Sequence, residues 1–299
     1  MTVLLFGANG QVGTELRRTL LPHGRLVALS RSEVDLTDAG AIREAIDAHA
    51  PSIIVNAAAY TAVDKAESEP ELAGAINRDA VAVMAEAAKA SGALLIHYST
   101  DYVFDGEGVT PYAPDAPAAP QSVYGQTKLD GERAIVASGC AHLIFRTSWV
   151  FASHGHNFVK TMLRLGQEKP GLRVVSDQIG APTSAELIAD VTGLAISGYR
   201  AEQIKTGVYH LTAGGETSWY GFASFVLQHA RKRGLQLTLN PDAIEAIPTS
   251  EFPTPARRPA NSRLGCTTLE RALGIEMPDW RLHAARAVEQ LIEIQKGQG

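Results

Sequence analysis

The sequence places a tyrosine and a lysine, Tyr124 and Lys128, four positions apart, and these two side chains could do acid chemistry together. On an α-helix two residues at this spacing lie on one face, so the phenol and the ammonium point into the same space. A free phenol loses its proton near pH ~10, and a neighbouring cation lowers that pKa. Such a pair can act as an acid toward a ketone oxygen. Because the same spacing is frequent on solvated helix faces, the surrounding elements must decide its role.

A glycine-rich turn near the start of the chain is the first such element. Residues 3–6 have the length and apolar composition of a buried strand, and Gly7, Gly10 and Gly13 follow directly. A helical apolar pattern then begins at Val12. Strand, glycine turn and helix in this order let a pyrophosphate approach backbone N–H groups at a helix amino end. The alternative is an ordinary glycine-rich turn, but the flanking elements favour a dinucleotide site.

The end of the next apolar run bears on which dinucleotide binds. Ser30 and Arg31 stand about where NAD-binding proteins carry an acid for the adenosine ribose. An arginine can accommodate a 2′-phosphate, so the sequence favours NADPH. NADH stays open because Glu33 and Asp35 follow closely. We expect Asp35 and Leu36 to close over the adenine edge.

Alternating strands and helices predict the fold class. Further apolar runs at 53–55, 93–98 and 143–145 are separated by helical patterns, including 39–48 and 72–91. This alternation is typical of an α/β fold with a doubly wound parallel sheet. The fourth run leads into Ser99 and Thr100, whose hydroxyls then lie at the carboxyl end of a central strand, ahead of the Tyr124 helix. Both could equally cap the strand end.

Composition narrows the class of protein. The 299 residues carry a net charge of −5, which gives no reason to expect nucleic acid or an anionic membrane as partner. Cys140 and Cys266 lack metal-ligand or redox spacing, which suits a reducing cytoplasm. His154 and His156 lack a third ligand in view, so we predict no metal there. Without an apolar run of ~20 residues or a signal-peptide pattern, we expect a soluble cytoplasmic protein.

The regular strand pattern ends near residue 150. We therefore predict an NAD(P)-binding Rossmann domain over 1–150. We predict a mainly substrate-binding region over 151–299, with chain excursions between the two. In the second part, Arg257 and Arg258 could clamp a pyrophosphate, because guanidinium groups pair with phosphate oxygens bidentately. They could also be a surface pair.

Seven segments together resemble the extended short-chain dehydrogenases/reductases, and within them the dTDP-4-dehydrorhamnose reductase family. The resemblance runs from end to end and is far more specific than the glycine motif alone. The segments are residues 4–13, 55–69, 97–104 (HYSTDYVF), 124–128, 145–150, 177–186 (DQIGAPTSAE) and 253–264.

The resemblance implies an activity and a catalytic set. The activity is NAD(P)H-dependent reduction of the C4 ketone of dTDP-4-dehydro-L-rhamnose to dTDP-L-rhamnose. Tyr124 would donate the proton to O4, and Lys128 would lower its pKa and hold the nicotinamide ribose. Thr100 would donate a hydrogen bond that polarises the carbonyl. Related nucleotide-sugar dehydratases carry an acidic pair where this chain has Asp101 and Tyr102, so plain reduction is favoured.

Further residues match family positions. The implied cofactor contacts are Gly10, Gln11, Val12, Asp35, Leu36, Ala59, Tyr60 and Thr61, and the implied substrate contacts are Thr100, Asp101, Tyr102 and Trp149. Family members are also associated with magnesium held by glutamates at a dimer contact. Glu15 and Glu186 match two of those positions, but Gln290 stands at the third, with Glu289 beside it. We expect a homodimer, and the sequence leaves magnesium in doubt.

Two other functions stay open at this point. A catalytically silent regulatory protein can share the fold, as the regulatory subunit of methionine adenosyltransferase does, although the intact Thr100, Tyr124 and Lys128 argue against it. A reductase or epimerase acting on another nucleotide sugar would carry much the same residues.

Overall fold

The computed structural model describes residues 1–297. The strands in chain order are β1 (Thr2–Phe6), β2 (Arg25–Leu29), β3 (Ile53–Asn56), β4 (Leu94–Thr100), β5 (His142–Thr147), β6 (Val150–Phe151), β7 (Arg173–Val175), β8 (Ile179–Gly180), β9 (Thr183–Ser184), β10 (Gly207–His210), β11 (Thr217–Ser218) and β12 (Glu245–Ile247).

The α-helices alternate with these strands over most of the chain. They are α1 (Gln11–Thr19), α2 (Ala39–His49), α3 (Val63–Ala66), α4 (Pro70–Gly74), α5 (Ala80–Ser91), α6 (Val123–Ser138), α7 (Phe158–Glu168), α8 (Ala185–Arg200), α9 (Trp219–Lys232), α10 (Thr267–Leu273) and α11 (Trp280–Gly297). Within residues 1–297, no helix combines the length and the apolar composition that crossing a bilayer requires.

Six parallel strands form the central sheet, in the order β10-β5-β4-β3-β1-β2. The predicted doubly wound parallel sheet is therefore confirmed. From β1 the chain moves outward to β2 and then crosses back to β3. Ligands of such sheets bind at this reversal, outside the carboxyl ends of the strands.

Side chains of the sheet alternate between two buried cores. Val3 and Leu5 of β1 pack with residues of α1 and α8, whereas Leu4 and Phe6 pack with residues of α2, α5 and α6. Helices on both faces explain why the strands read as continuous apolar runs rather than as an alternating pattern.

One strand of the sheet was not predicted. Strand β10 pairs with β5, with Val208 opposite Ile144, so the chain beyond residue 150 returns to the sheet. Helix α8 likewise packs against α1. A four-residue strand that follows a long helix leaves too short a pattern to be distinguished from a loop.

The predicted helix over 72–91 is interrupted. A π-helical turn at Ala75–Asp79 joins α4 to α5. Such turns are frequent at functional sites. Here Asn77 faces the end of β3: its Oδ1 accepts from the Tyr60 N–H at 2.9 Å, and its Nδ2 donates to the Tyr60 carbonyl at 3.1 Å. Apolar periodicity does not reveal this turn.

Candidate active site

A cleft of about 760 Å³ opens at the carboxyl edge of the sheet. It gathers sixteen of the residues predicted to bind cofactor or substrate or to catalyse: Gly7, Gly10, Gln11, Val12, Ser30, Arg31, Asp35, Leu36, Ala59, Thr61, Thr100, Asp101, Tyr102, Tyr124, Lys128 and Trp149. Four predicted residues do not line it: Gly13, Tyr60, Arg257 and Arg258.

The turn between β1 and α1 fits a pyrophosphate. A Cβ at Gly7 would lie 2.6 Å from the Ala58 nitrogen, and one at Gly13 would lie 2.0 Å from the Gly7 oxygen, so both glycines allow close packing of backbone. Gly10 is the N-cap of α1, and a Cβ there would meet only the Gly7 oxygen, at 3.4 Å. The helix amino end therefore offers free N–H groups to an anion in the cleft.

At the end of β2 a cation and a carboxylate stand side by side. The Arg31 side chain is 79% exposed, and its nearest acid is Asp35 at 3.9 Å. The Glu33 carboxylate instead accepts from the Ser30 N–H at 2.7 Å and from its hydroxyl at 2.8 Å, which holds the pKa of Glu33 below its usual value. Arg31 is thus available to a phosphate.

Helix α6 carries the central tyrosine near its start. The Ser122 side chain caps the helix by accepting from the Gly125 N–H, which fixes the turn that contains Tyr124. Burial raises the pKa of the Tyr124 phenol, with a further increase from the Asp101 charge, whereas the Thr100 hydroxyl lowers it. The phenol therefore keeps its proton at neutral pH. Among the described residues Lys128 is not one of the groups that shift this pKa.

Lys128 is fully buried and held by β4. Its Nζ donates to the Tyr98 carbonyl at 2.6 Å and lies 3.1 Å from His97 Nε2. Burial lowers the pKa of Lys128 to about 8, and Glu132 opposes that shift. The ammonium is thus directed by strand backbone and by an imidazole, rather than only by its spacing from Tyr124.

His97 and Asn56 are site residues that were not predicted from the sequence. His97 Nδ1 lies 3.2 Å from Asn56 Nδ2, and Asn56 Oδ1 accepts from the Ala58 N–H at 3.1 Å. Burial, and then the Lys128 charge, lower the pKa of His97 well below its ordinary value, so the imidazole is neutral. The sequence feature that could have indicated both residues is a polar side chain within, or at the end of, an otherwise apolar buried strand.

Thr100 and Asp101 share a hydrogen bond at the end of β4. The Thr100 hydroxyl donates to Asp101 Oδ1 at 3.0 Å, and the Tyr102 N–H donates to Thr100 Oγ1 at 3.3 Å. Burial raises the pKa of Asp101 to about 6, although interactions with Ser262 and Thr100 lower it. Within residues 1–297 its Oδ2 has no hydrogen-bond partner.

The two predicted clamp arginines have different surroundings. Arg258 donates to the Tyr102 hydroxyl at 3.0 Å and to Asp64 at 2.7 Å, so it reaches the cleft wall through Tyr102. Arg257 pairs with Glu107 at 2.7 Å on the surface. Arg258 therefore lies one contact away from the cleft, whereas Arg257 lies apart from it.

Each glutamate at a family magnesium position (Glu15, Glu186), or beside one (Glu289), is paired with a basic side chain. Glu15 lies 2.9 Å from His154, Glu186 lies 3.0 Å from Arg286, and Glu289 contacts His229 and Arg233. Within residues 1–297 no group of three or more acids, histidines or cysteines gathers at metal-binding distance.

Comparisons with known proteins address the family. The model of the RmlD substrate binding domain matches residues 1–293. The chain is 48% identical over 295 residues to the dTDP-4-dehydrorhamnose reductase of Escherichia coli K12, covering 97% of this chain and 98% of that one. It is 46% identical over 296 residues to the enzyme of that name from Burkholderia thailandensis, covering 98% and 99%.

Solved structures give the same result. A dTDP-4-dehydrorhamnose reductase from Clostridium acetobutylicum superimposes with a TM-score of 0.88 at 34% identity, covering 99% of this chain and 100% of that one. The Bacillus anthracis enzyme, solved in complex with NADP, gives 0.85 at 32% identity, covering 98% and 99%. This chain belongs to the family defined by the RmlD substrate binding domain, which confirms the resemblance.

Proposed function

We propose that this protein is an oxidoreductase that reduces the C4 ketone of dTDP-4-dehydro-L-rhamnose to dTDP-L-rhamnose, with NADPH as the reductant. The observation that carries the proposal is that Thr100, Tyr124 and Lys128 line the same cleft as the glycine turn before α1. The names of the relatives and the NADP in the Bacillus anthracis structure support the substrate and the cofactor.

The cofactor and three side chains have separate roles in the proposed reaction. Bound NADPH would supply a hydride to C4, the cofactor carrying the chemistry that no side chain can. Tyr124, whose raised pKa keeps the phenol protonated, donates its proton to O4. The Thr100 hydroxyl has one proton, which turns from Asp101 Oδ1 to the same sugar oxygen when the substrate is bound. Lys128, directed by the Tyr98 carbonyl and by His97, holds a ribose hydroxyl of the cofactor.

Residues next to the catalytic set favour reduction over dehydration. A dehydratase needs an acid and a base to remove water beside the ketone. Here Asp101 is followed by Tyr102, whose ring stands edge-on to Tyr124 with centroids 5.5 Å apart and whose hydroxyl accepts from Arg258. That place is filled by an aromatic side chain with no carboxylate to act as a second acid.

The test is oxidation of NADPH, followed by absorbance, with dTDP-4-dehydro-6-deoxy-L-mannose made in situ and with identification of the sugar product. Tyr124→Phe should lower turnover at least about 100-fold and leave NADPH affinity nearly intact, because it removes a proton donor and little surface. Tyr209→Phe is the matched control, since that hydroxyl donates to the Lys205 carbonyl away from the cleft. Normal turnover of Tyr124→Phe would refute the assignment.

The same assay separates the alternatives. Binding of NADPH without oxidation, together with binding of the nucleotide sugar, would favour the silent regulatory protein. Oxidation with another 4-keto nucleotide sugar but not with this one would favour a reductase or epimerase of different specificity.

The proposal also covers the division of the chain into two parts, its oligomeric state and its cellular compartment. Residues 1–150 would bind the dinucleotide and 151–299 mainly the sugar nucleotide, with β10 and α8 as the excursions that return to the first part. The family resemblance supports a homodimer, which light scattering after gel filtration would test. The free thiols of Cys140 and Cys266 suit a reducing cytoplasm.

A further inference from the structure

Trp149 holds a backbone conformation that bulky residues rarely adopt. Its φ of +50° lies in the left-handed region, which it shares with Ala50 and Glu202 among the non-glycine residues of 1–297. Of these three, only Trp149 lines the cleft. Such a conformation persists where surrounding groups hold it, and it concentrates at functional sites.

The indole of Trp219 supports the Trp149 ring face to face. The two rings stack with centroids 3.7 Å apart and planes 13° from parallel. Trp219 is itself fixed, because it is the first residue of α9 and its Nε1–H donates to Gln178 Oε1 at 3.1 Å. Gln178 is buried, and its Nε2 donates to Thr249 Oγ1 at 3.0 Å.

Gly180 defines another side of the same ring. It lies opposite Thr217 in the two-residue pairing of β8 with β11, which brings the 177–186 segment to the start of α9. A Cβ at Gly180 would lie 2.7 Å from Trp149 Cε2 and 3.0 Å from Trp149 Nε1. Any side chain at this position would displace the indole.

Trp149 lines the end of the cleft where the sugar would bind. Thr100 on β4 pairs in register with Thr147 on β5, and Trp149 follows two residues later. The dinucleotide end, at the turns after β1 and β2, lies on the other side of β3 in the sheet order. A flat aromatic surface beside Thr100 suits the apolar C–H face of a sugar ring.

We propose that Trp219, Gln178 and Gly180 are positioning residues for sugar recognition, which hold the Trp149 indole as an apolar wall for the sugar ring of the nucleotide sugar. This inference rests on the proposed function. It also gives a role to the DQIGAPTSAE segment, which the catalytic set leaves unused.

Steady-state kinetics of Trp219→Ala test the proposal. The KM for the nucleotide sugar should rise about tenfold and the KM for NADPH should change less than about twofold, because the lost stack supports only the sugar wall. Trp219→Phe, which keeps an aromatic face, should recover most of the sugar affinity. In a Trp149→Ala background, Trp219→Ala should add no further effect, since its action passes through Trp149.

Two further variants separate positioning from general stability. Gly180→Ala adds a methyl group against the ring from another side and should raise the sugar KM in the same way as Trp219→Ala. Trp280→Phe alters the buried tryptophan that packs on Phe222, away from the cleft, and should leave both KM values unchanged.

A spectroscopic readout is independent of turnover. The chain has three tryptophans, so the coupled far-ultraviolet circular dichroism of a stacked indole pair reports on Trp149 and Trp219. The signal should vanish in Trp219→Ala, shift in Gly180→Ala and persist in Trp280→Phe. The affinity for dTDP-L-rhamnose, measured by calorimetry, should weaken in Trp219→Ala and in Gly180→Ala. This result is expected even if the wild type does not oxidise NADPH and the proposed function is refuted.

The opposite results would overturn the inference. Unchanged sugar affinity in both Trp219→Ala and Gly180→Ala would do so, as would an equal loss of NADPH affinity. A full Trp219→Ala effect in the Trp149→Ala background would show that Trp219 does not act through Trp149.

Discussion

Asp101 is a carboxyl group that the fold buries beside Thr100. Because burial raises its folded pKa to about 6, the folded protein keeps a proton that the unfolded chain has already lost. The contribution of Asp101 to stability therefore falls as the pH rises from about 4 to about 6. A buried acid that costs stability at neutral pH indicates a residue retained for what it does in the cleft.

Asp101→Asn should flatten this part of the pH dependence. Between pH ~4.5 and pH ~7.5 the wild type should lose about 2 kcal/mol of unfolding free energy through Asp101, and the variant should not. Urea unfolding at the two pH values measures the difference. We also expect lower turnover, since the Thr100 hydroxyl loses its carboxylate partner. An unchanged pH slope would contradict the assignment of this titration to Asp101.

Arg31 is the residue through which the protein would distinguish the two dinucleotides. Its guanidinium is largely exposed at the cleft edge, whereas the neighbouring Glu33 carboxylate is occupied by Ser30. Arg31→Ala should raise the KM for NADPH about tenfold and change the KM for NADH less than about twofold. Arg43→Ala, an exposed arginine paired with Glu86 on α2 and α5, is the control. Equal losses for both cofactors would rule out 2′-phosphate recognition by Arg31.

At the scale of elements, α6 is anchored to the sheet by a buried ion pair. Arg146 on β5 donates to the Glu132 carboxylate at 2.6 and 3.0 Å, and the two side chains are 7% and 4% exposed. Arg146 also donates to the Pro114 carbonyl at 3.0 Å. The pair holds the helix that carries both Tyr124 and Lys128.

Glu132→Gln should therefore destabilise the protein by about 3–5 kcal/mol, because it leaves a buried guanidinium without its counter-charge. Arg133→Ala, one residue along the same helix, breaks an exposed pair with Asp130 and should cost about 0–1 kcal/mol. Denaturant unfolding of both variants measures the contrast. Similar small losses would mean that the ion pair does not hold α6.

At the scale of the whole molecule, Arg258 joins distant parts of the chain. It links Asp64, which follows β3, to Tyr102, which follows β4, from a segment near residue 260. The 253–264 segment thus closes over the cleft wall formed by the first half of the chain. Arg257 beside it makes exposed hydrogen bonds with Gln121 and Glu107.

Arg258→Ala should raise the KM for the nucleotide sugar about tenfold, because Tyr102 loses a charge-assisted hydrogen bond. Arg257→Ala should leave it unchanged. Because Arg257 and Arg258 are adjacent arginines, each variant is the control for the other in the same kinetic assay. If the two variants behave alike, recognition does not pass through Tyr102.

The sequence alone determined the parallel sheet, the glycine turn and the grouping of Thr100, Tyr124 and Lys128. These follow from local patterns: apolar runs, a glycine spacing, and a helical spacing of four. Carboxyl ends of parallel strands meet at one edge, so residues that follow those runs converge there. The end-to-end resemblance added the substrate.

The surroundings of these residues depend on contacts between distant parts of the chain. His97 directs Lys128, Arg258 reaches Tyr102, and Trp219 supports Trp149, each through contacts between residues at least 31 positions apart. Strand β10 also joins the sheet through a contact between distant residues, since it pairs with β5. No local pattern encodes such pairings, because they depend on which buried groups meet when the helices close over the sheet.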